Sequence, residues 1–235
     1  MSVVSVEGDA TREPPPDTAA ESGIGEPRWP PAAALLLFLV LNVWLRIWLP
    51  TESAFRVPWL LPVIEVVLLT VLLVGHPGGA VSHKRLRHIC VALVIALVVA
   101  ALFSTALLVY DLIKSVGVSN DAGELLATGA LVWLGNNLSF ALLYWLMDTG
   151  GPMARSRYPT PVDFAFTQQM SPELAPPAWR PVFLDYLHLG FTNATAFSPT
   201  DVMPLSHRAK YTMLVQSTVA LALFGLIVAR AVNAF

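Results

Sequence analysis

The chain has 235 residues, of which 55% are hydrophobic and only 13% charged, with a formal net charge of −2. About a quarter of the residues in a soluble domain are charged, so this composition excludes an ordinary soluble domain and points to an integral membrane protein. A single cysteine, Cys90, excludes an internal disulfide and any cysteine-based metal site.

Residues 1–30, MSVVSVEGDATREPPPDTAAESGIGEPRWP, are rich in Pro, Gly, Ser and acids and have no apolar periodicity, which reads as a disordered tail. The tail lacks the basic start and short apolar core of a cleaved signal peptide, so the first span is expected to be a permanent anchor. Crossing a bilayer takes roughly 20 apolar residues in a helix, and five stretches qualify. Residues 31–50 end in Trp44 and Trp48, side chains suited to a membrane interface. Residues 57–75 follow after a short loop and predict an antiparallel hairpin with the first span. Residues 89–110 are the most apolar run. Residues 124–147 carry Asn136 and Asn137, expected to hydrogen-bond across helices. Residues 209–235 make the fifth. Arg46 and Glu65 fall inside the hairpin. They read as an ion pair reached by long side chains, with a proton-relay role for Glu65 as the alternative.

The proline-rich linker 148–180 is expected to be irregular and surface-exposed. After it comes PVFLDYLHLGFTNATAF. A helix over residues 181–196 would be about 24 Å long, too short for a full span, and it would carry Asp185, His188 and Asn193. A half-helix that enters the membrane and returns fits this better, with non-helical backbone sheltered by protein or a water-filled cavity. His188 reads as a packed, hydrogen-bonded histidine. The fold expected is all-α: about five spanning helices plus one re-entrant half-helix. Its regions are a tail (1–30), a three-span part (31–110) and a C-terminal part (111–235).

The run DYLHLGFTNATAFSPTDVMP, residues 185–204, resembles the pore helix and filter of two-span potassium channels, D-x-L-Y-F-S-x-x-T-x-T-T-V-G-Y-G-D-I-x-P. Leu187, Phe191, Thr195, Asp201 and Pro204 fall on matching positions without a gap. The resemblance covers residues 124–235 and implies a fourth span acting as outer helix, a fifth as inner helix, and a tetramer around an axis. Where the channels have T-V-G-Y-G, this chain has Ala196, Phe197, Ser198, Pro199 and Thr200. A potassium filter needs inward-pointing carbonyls and two glycines free of the Cβ constraint; here both glycine positions are filled and Pro199 fixes its own φ. The resemblance therefore implies a wider, weakly selective pore for monovalent cations. Its lining would come from Thr195, Ala196, Phe197, Ser198, Pro199, Thr200 and Asp201. The chain also resembles a family of bacterial integral membrane proteins of unknown function that share NATAFSPTD, the asparagine-bearing fourth span and its MDTGGP end. That likeness implies a bacterial inner membrane.

Basic residues mark the cytoplasmic side of a membrane. With five spans, Lys84, Arg85, Arg87 and the linker arginines share a side with the N-terminus, which puts the filter-like loop in the cytoplasm; the channel resemblance implies the reverse. No H-E-x-x-H, G-x-S-x-G or phosphate loop is present, so no enzyme, metal, cofactor or nucleic-acid partner is expected. The two readings carried forward are an ion-conducting homo-oligomer in the lipid bilayer and a non-conducting structural or partner-binding membrane protein.

Overall fold

The computed structural model describes residue 26 and residues 29–48, 60–74, 83–114, 122–155, 162–177, 179–195 and 201–234. The long helices are α1 (Trp29–Trp48), α2 (Leu60–Val74), α3 (His83–Lys114) and α4 (Ala122–Met147). After them come a 3-10 turn (Asp148–Gly150) and the short α5 (Pro152–Arg155), β1 (Phe164–Phe166), α6 (Thr167–Met170) and the 3-10 turn Pro172–Leu174. The chain closes with α7 (Phe183–Thr195), β2 (Val202–Pro204) and α8 (His207–Ala234). The described chain is mostly helical. Parts of α3, α4 and α8 are long and apolar enough to cross a membrane, while Trp29–Trp44 and Leu61–Leu73 are shorter apolar helices.

Helix α4 is the centre of the molecule. It packs against α1, α3, α7 and α8, and 72% of its candidate span is buried, against 28% for α8. A helix that is apolar all round belongs in an interior, and ALVWLGNNLSFALLYWLM has no polar face to turn outward. One continuous core runs from Leu35 and Phe38 on α1 through Leu68 on α2 and Leu97 on α3 to Leu142 on α4 and Leu189 on α7. A smaller cluster of Leu108, Leu125, Val132, Leu223 and Ile227 joins α3, α4 and α8. The outward sides of α1, α2 and α8 remain apolar: Leu37, Val63, Leu214 and Phe224 are all more than half exposed. Large exposed apolar faces of this kind suit lipid or another chain.

The linker differs from the expectation of an irregular, exposed segment. β1 and β2 pair antiparallel, with Phe164 opposite Pro204 and Phe166 opposite Val202. Phe164, Phe166 and Val202 are buried. The prolines do not prevent this, because none of them lies within the three residues of β1 and Pro204 comes at the end of β2. Phe164 meets Tyr144 and Tyr186 edge-on, with centroids at 5.2 and 6.4 Å, and Phe166 lies 5.4 Å from Tyr186. These aromatic contacts draw the segment onto the end of the bundle.

The tail also differs at one point. Glu26 is buried, and its carboxylate accepts hydrogen bonds from Trp145 Nε1 at 2.6 Å and from Arg155 Nη2 at 2.8 Å. Residues 1–25 lie outside the described residues.

Candidate functional site

The channel-like stretch is built around α7. Its first turn is closed by Asp185, whose carboxylate accepts the Val182 backbone N–H at 2.7 Å, the N3-to-cap half of a capping box. The helix starts at Phe183, two residues after Pro181. Phe183, Tyr186, Leu189, Gly190, Asn193 and Ala194 form its buried stripe, following the helical period. Gly190 permits a close approach to α4: a Cβ there would lie 3.3 Å from the Asn137 carbonyl oxygen. The opposite stripe, Leu184, His188, Phe191 and Thr195, is exposed.

A polar knot ties the buried stripe to α4 and α8. Gln216, 1% exposed in the middle of apolar α8, receives two hydrogen bonds on Oε1, from Tyr144 at 2.7 Å and from Asn193 at 2.8 Å. Its amide nitrogen donates to the Gly190 carbonyl at 2.9 Å and to Asn137 Oδ1 at 3.4 Å. Asn193 also donates to the Met213 carbonyl at 3.0 Å, and the Ser217 hydroxyl donates to Asn193 Oδ1 at 3.0 Å. Both faces of the Gln216 amide are therefore satisfied, as a buried amide requires. Asn137, expected to bond across helices, does so here; Asn136 reaches Thr105 on α3 at 2.6 Å.

A charged cluster closes the end of α4. The chain turns at Thr149, Gly150 and Gly151, which have φ of 52°, 79° and 97°, left-handed angles that glycine adopts without a Cβ penalty. Asp148, fully buried, accepts the Tyr186 hydroxyl at 2.5 Å on one oxygen and the Asp163 backbone N–H at 2.8 Å on the other. Arg155 donates to the carbonyls of Trp145 and Asp148 and lies 5.0 Å over the Tyr186 ring. The Tyr186 hydroxyl, buried with its ring under Arg155, donates to Asp148. Arg208 forms a bidentate pair with Asp163. Burial alone would raise the Asp163 carboxyl, but Arg208, Ser206 and the Thr149 N–H together hold it below the ordinary aspartate value.

The two termini of α7 lie at different levels of the bundle. Phe183 stacks edge-on with Trp145 near the α4 end, at 5.9 Å. Asn193 meets Gln216, nine residues or about 14 Å into α8. Asp201 then lies 3.5 Å from His188, back toward the start of α7, before β2 rejoins β1. Comparisons with protein-family models, curated proteins and solved structures find no match.

Among the lining candidates, Thr195 and Asp201 are exposed, and the Thr195 hydroxyl donates to its own helix at Phe191 O, 2.9 Å. Ala196, Phe197, Ser198, Pro199 and Thr200 lie outside the described residues. His188 corrects the expectation of a packed histidine: its side chain is 58% exposed and faces Asp201, because it stands on the stripe opposite Asn193. In the hairpin, Glu65 accepts a hydrogen bond from Asn42 at 3.2 Å, and the side chain of Arg46 lies outside the described residues. Sequence reasoning missed Gln216, Tyr144, Asp148, Asp163 and Glu26. A lone glutamine inside an apolar span and an aspartate directly before a Thr-Gly-Gly turn were the available signals.

Proposed function

We propose that this is a multi-pass inner-membrane protein of bacterial type, with five spanning helices and α7 as a re-entrant half-helix. In this reading its C-terminal half is a channel-like pore module that lacks the potassium filter. Four chains surround an axis, and monovalent cations pass with weak selectivity by a rim of hydroxyls and the Asp201 carboxylate. The observation that carries the reading is the two-faced α7. Its inner stripe is bolted to α4 and α8 by the Gln216 knot, while Thr195, His188 and Asp201 are left on the outer side. Helix α8, exposed over most of its circumference, supplies the face that an inner helix turns to neighbouring copies.

Parity of crossings supports the topology. Glu26 and Arg155 touch, so an even number of crossings separates them, in line with α1 to α4 all crossing. Asp163 and Arg208 touch across the α7 segment, so α7 adds no crossing and enters and leaves on one side. The single pass of α8 then leaves the C-terminus on the side opposite Glu26.

The non-conducting reading draws on a specific observation too. Among the described residues, the buried polar side chains of α7 and α8 are all engaged within one chain, as a purely structural element would have them.

Native mass spectrometry in mild detergents separates the two readings. A species of four times the chain mass of 25.5 kDa is expected. Reconstituted protein should then pass cations in a manner changed by Asp201→Asn and Thr200→Ala. A monomer or dimer that persists in every detergent leaves α7 with no axis to line and rejects the pore.

A further inference from the structure

The end of α4 holds a socket that is separate from the Gln216 knot. Glu26 reaches it from the N-terminal segment, 119 residues before Trp145 and 129 before Arg155. One carboxylate oxygen accepts Arg155 Nη2 at 2.8 Å and Arg155 Nε at 3.1 Å. The other accepts Trp145 Nε1 at 2.6 Å. A planar group with two acceptor oxygens thus meets the edge of a guanidinium on one side and an indole N–H on the other. That donor set suits a carboxylate.

The groups that grip Glu26 are each held by other parts of the fold. Arg155 Nη1 donates to the Trp145 and Asp148 carbonyls at 2.8 and 3.0 Å, acceptors left over where a helix ends. Its guanidinium lies 5.0 Å over the Tyr186 ring, whose hydroxyl is tied to Asp148. Trp145 is 3% exposed and meets Phe183 edge-on at 5.9 Å. None of these contacts involves residue 26. The Arg155 side chain is only 7% exposed, and a buried charge stripped of its counter-ion is strongly destabilising. The Asp148 carboxylate is engaged elsewhere, with the Tyr186 hydroxyl and the backbone N–H groups of Asp163 and Phe164. The socket therefore calls for an anion of its own.

We propose that Arg155 and Trp145 form a carboxylate-binding site, with Glu26 as its tethered occupant and a small aliphatic monocarboxylate as its exchangeable ligand. The guanidinium edge and the indole N–H keep their aim when Glu26 leaves, so an incoming carboxylate binds without the cost of ordering them. The tethered side chain competes at an effective concentration on the order of millimolar, and an external carboxylate displaces it only above that level. Exchange undocks Glu26 while Trp145, Arg155 and Tyr186 stay together. The site is independent of whether the C-terminal half conducts.

Chemical rescue of the full chain in detergent micelles tests this, with melting followed by circular dichroism. Glu26→Ala deletes a carboxylate and one methylene, which acetate can replace. The variant should melt below wild type, and sodium acetate should raise its melting temperature saturably where sodium chloride of equal ionic strength does not. Wild type, its socket filled, should lack that acetate-specific rise. Adding Trp145→Phe keeps a ring against Phe183 but removes the indole donor. It should raise the acetate concentration for half effect about tenfold, the loss of one bond to a charged acceptor. A Glu26→Ala chain that folds only in acetate also supports the site. Equal responses to acetate and chloride, an acetate effect that is the same in wild type or untouched by Trp145→Phe, or failure to fold in either salt would overturn the proposal.

Discussion

Replacing Gln216 with leucine removes the centre of the polar knot while keeping the volume of the side chain roughly constant. Four hydrogen bonds disappear: those from Tyr144 and Asn193, and those to Gly190 and Asn137. Side-chain hydrogen bonds between membrane helices average about 0.6 kcal/mol each, so the loss is about 2.4 kcal/mol. The leucine recovers a little through packing, and the net expectation is about 2 kcal/mol. That is roughly a 30-fold fall in the folded-to-unfolded ratio. The assay is unfolding by added sodium dodecyl sulfate in mixed micelles, followed by tryptophan fluorescence. The control is Thr218→Val, two residues further along α8, where an exposed hydroxyl donates only to its own helix at Leu214 O, 2.8 Å. If Gln216→Leu unfolds no more readily than Thr218→Val, the knot does not hold α7 in place and the account of the site fails.

Asp148→Ala should lower stability by about 1–3 kcal/mol for each buried donor it strands, the Tyr186 hydroxyl first. Asp148→Asn should cost far less, since Tyr186 can rotate its hydroxyl to accept from the new amide; equal melting temperatures for the two variants would contradict this. Because the Asp163 carboxyl is held below its ordinary value, its contribution is complete above the unfolded aspartate value of about 3.9. It is lost as pH falls through the lower folded value. Arg208→Gln should remove that acid-side slope from the unfolding midpoint, and an unchanged slope would place the dependence elsewhere. Gly135→Ala would set a Cβ 2.6 Å from the Phe38 ring; overpacking of this kind costs about 1–3 kcal/mol, and adding Phe38→Leu should restore most of it. No rescue in the double variant would mean that the strain has another source.

The helices were legible because the apolar runs are long and bounded by proline, glycine and charge. The expected 124–147 and 181–196 become α4, Ala122–Met147, and α7, Phe183–Thr195. The short β-pairing was not legible. Phe164–Phe166 and Val202–Pro204 are three residues each and far apart in sequence, so no local alternation announces them, and what pins them is tertiary contact with Tyr144 and Tyr186. His188 was misjudged for a geometric reason. Its burial depends on which stripe of α7 faces the bundle, and Asn193, not the histidine, found partners there. The Asp148 cluster joins residues drawn from positions 26 to 208, beyond the reach of any window.

The bond between Glu26 and Arg155 joins residues 129 positions apart, and this has a consequence for biosynthesis. Glu26 leaves the ribosome long before its partner exists, so α1 to α4 must all be synthesised before the bond can form. In the proposed topology the latch can close only when an even number of the intervening helices crosses the membrane. A hairpin left on the membrane surface as a pair would still let the two ends meet; a single inverted or omitted helix would strand them on opposite sides of the bilayer. On that topology the contact reports an even number of crossings between residues 26 and 155, and a chain with an odd number leaves Arg155 without Glu26.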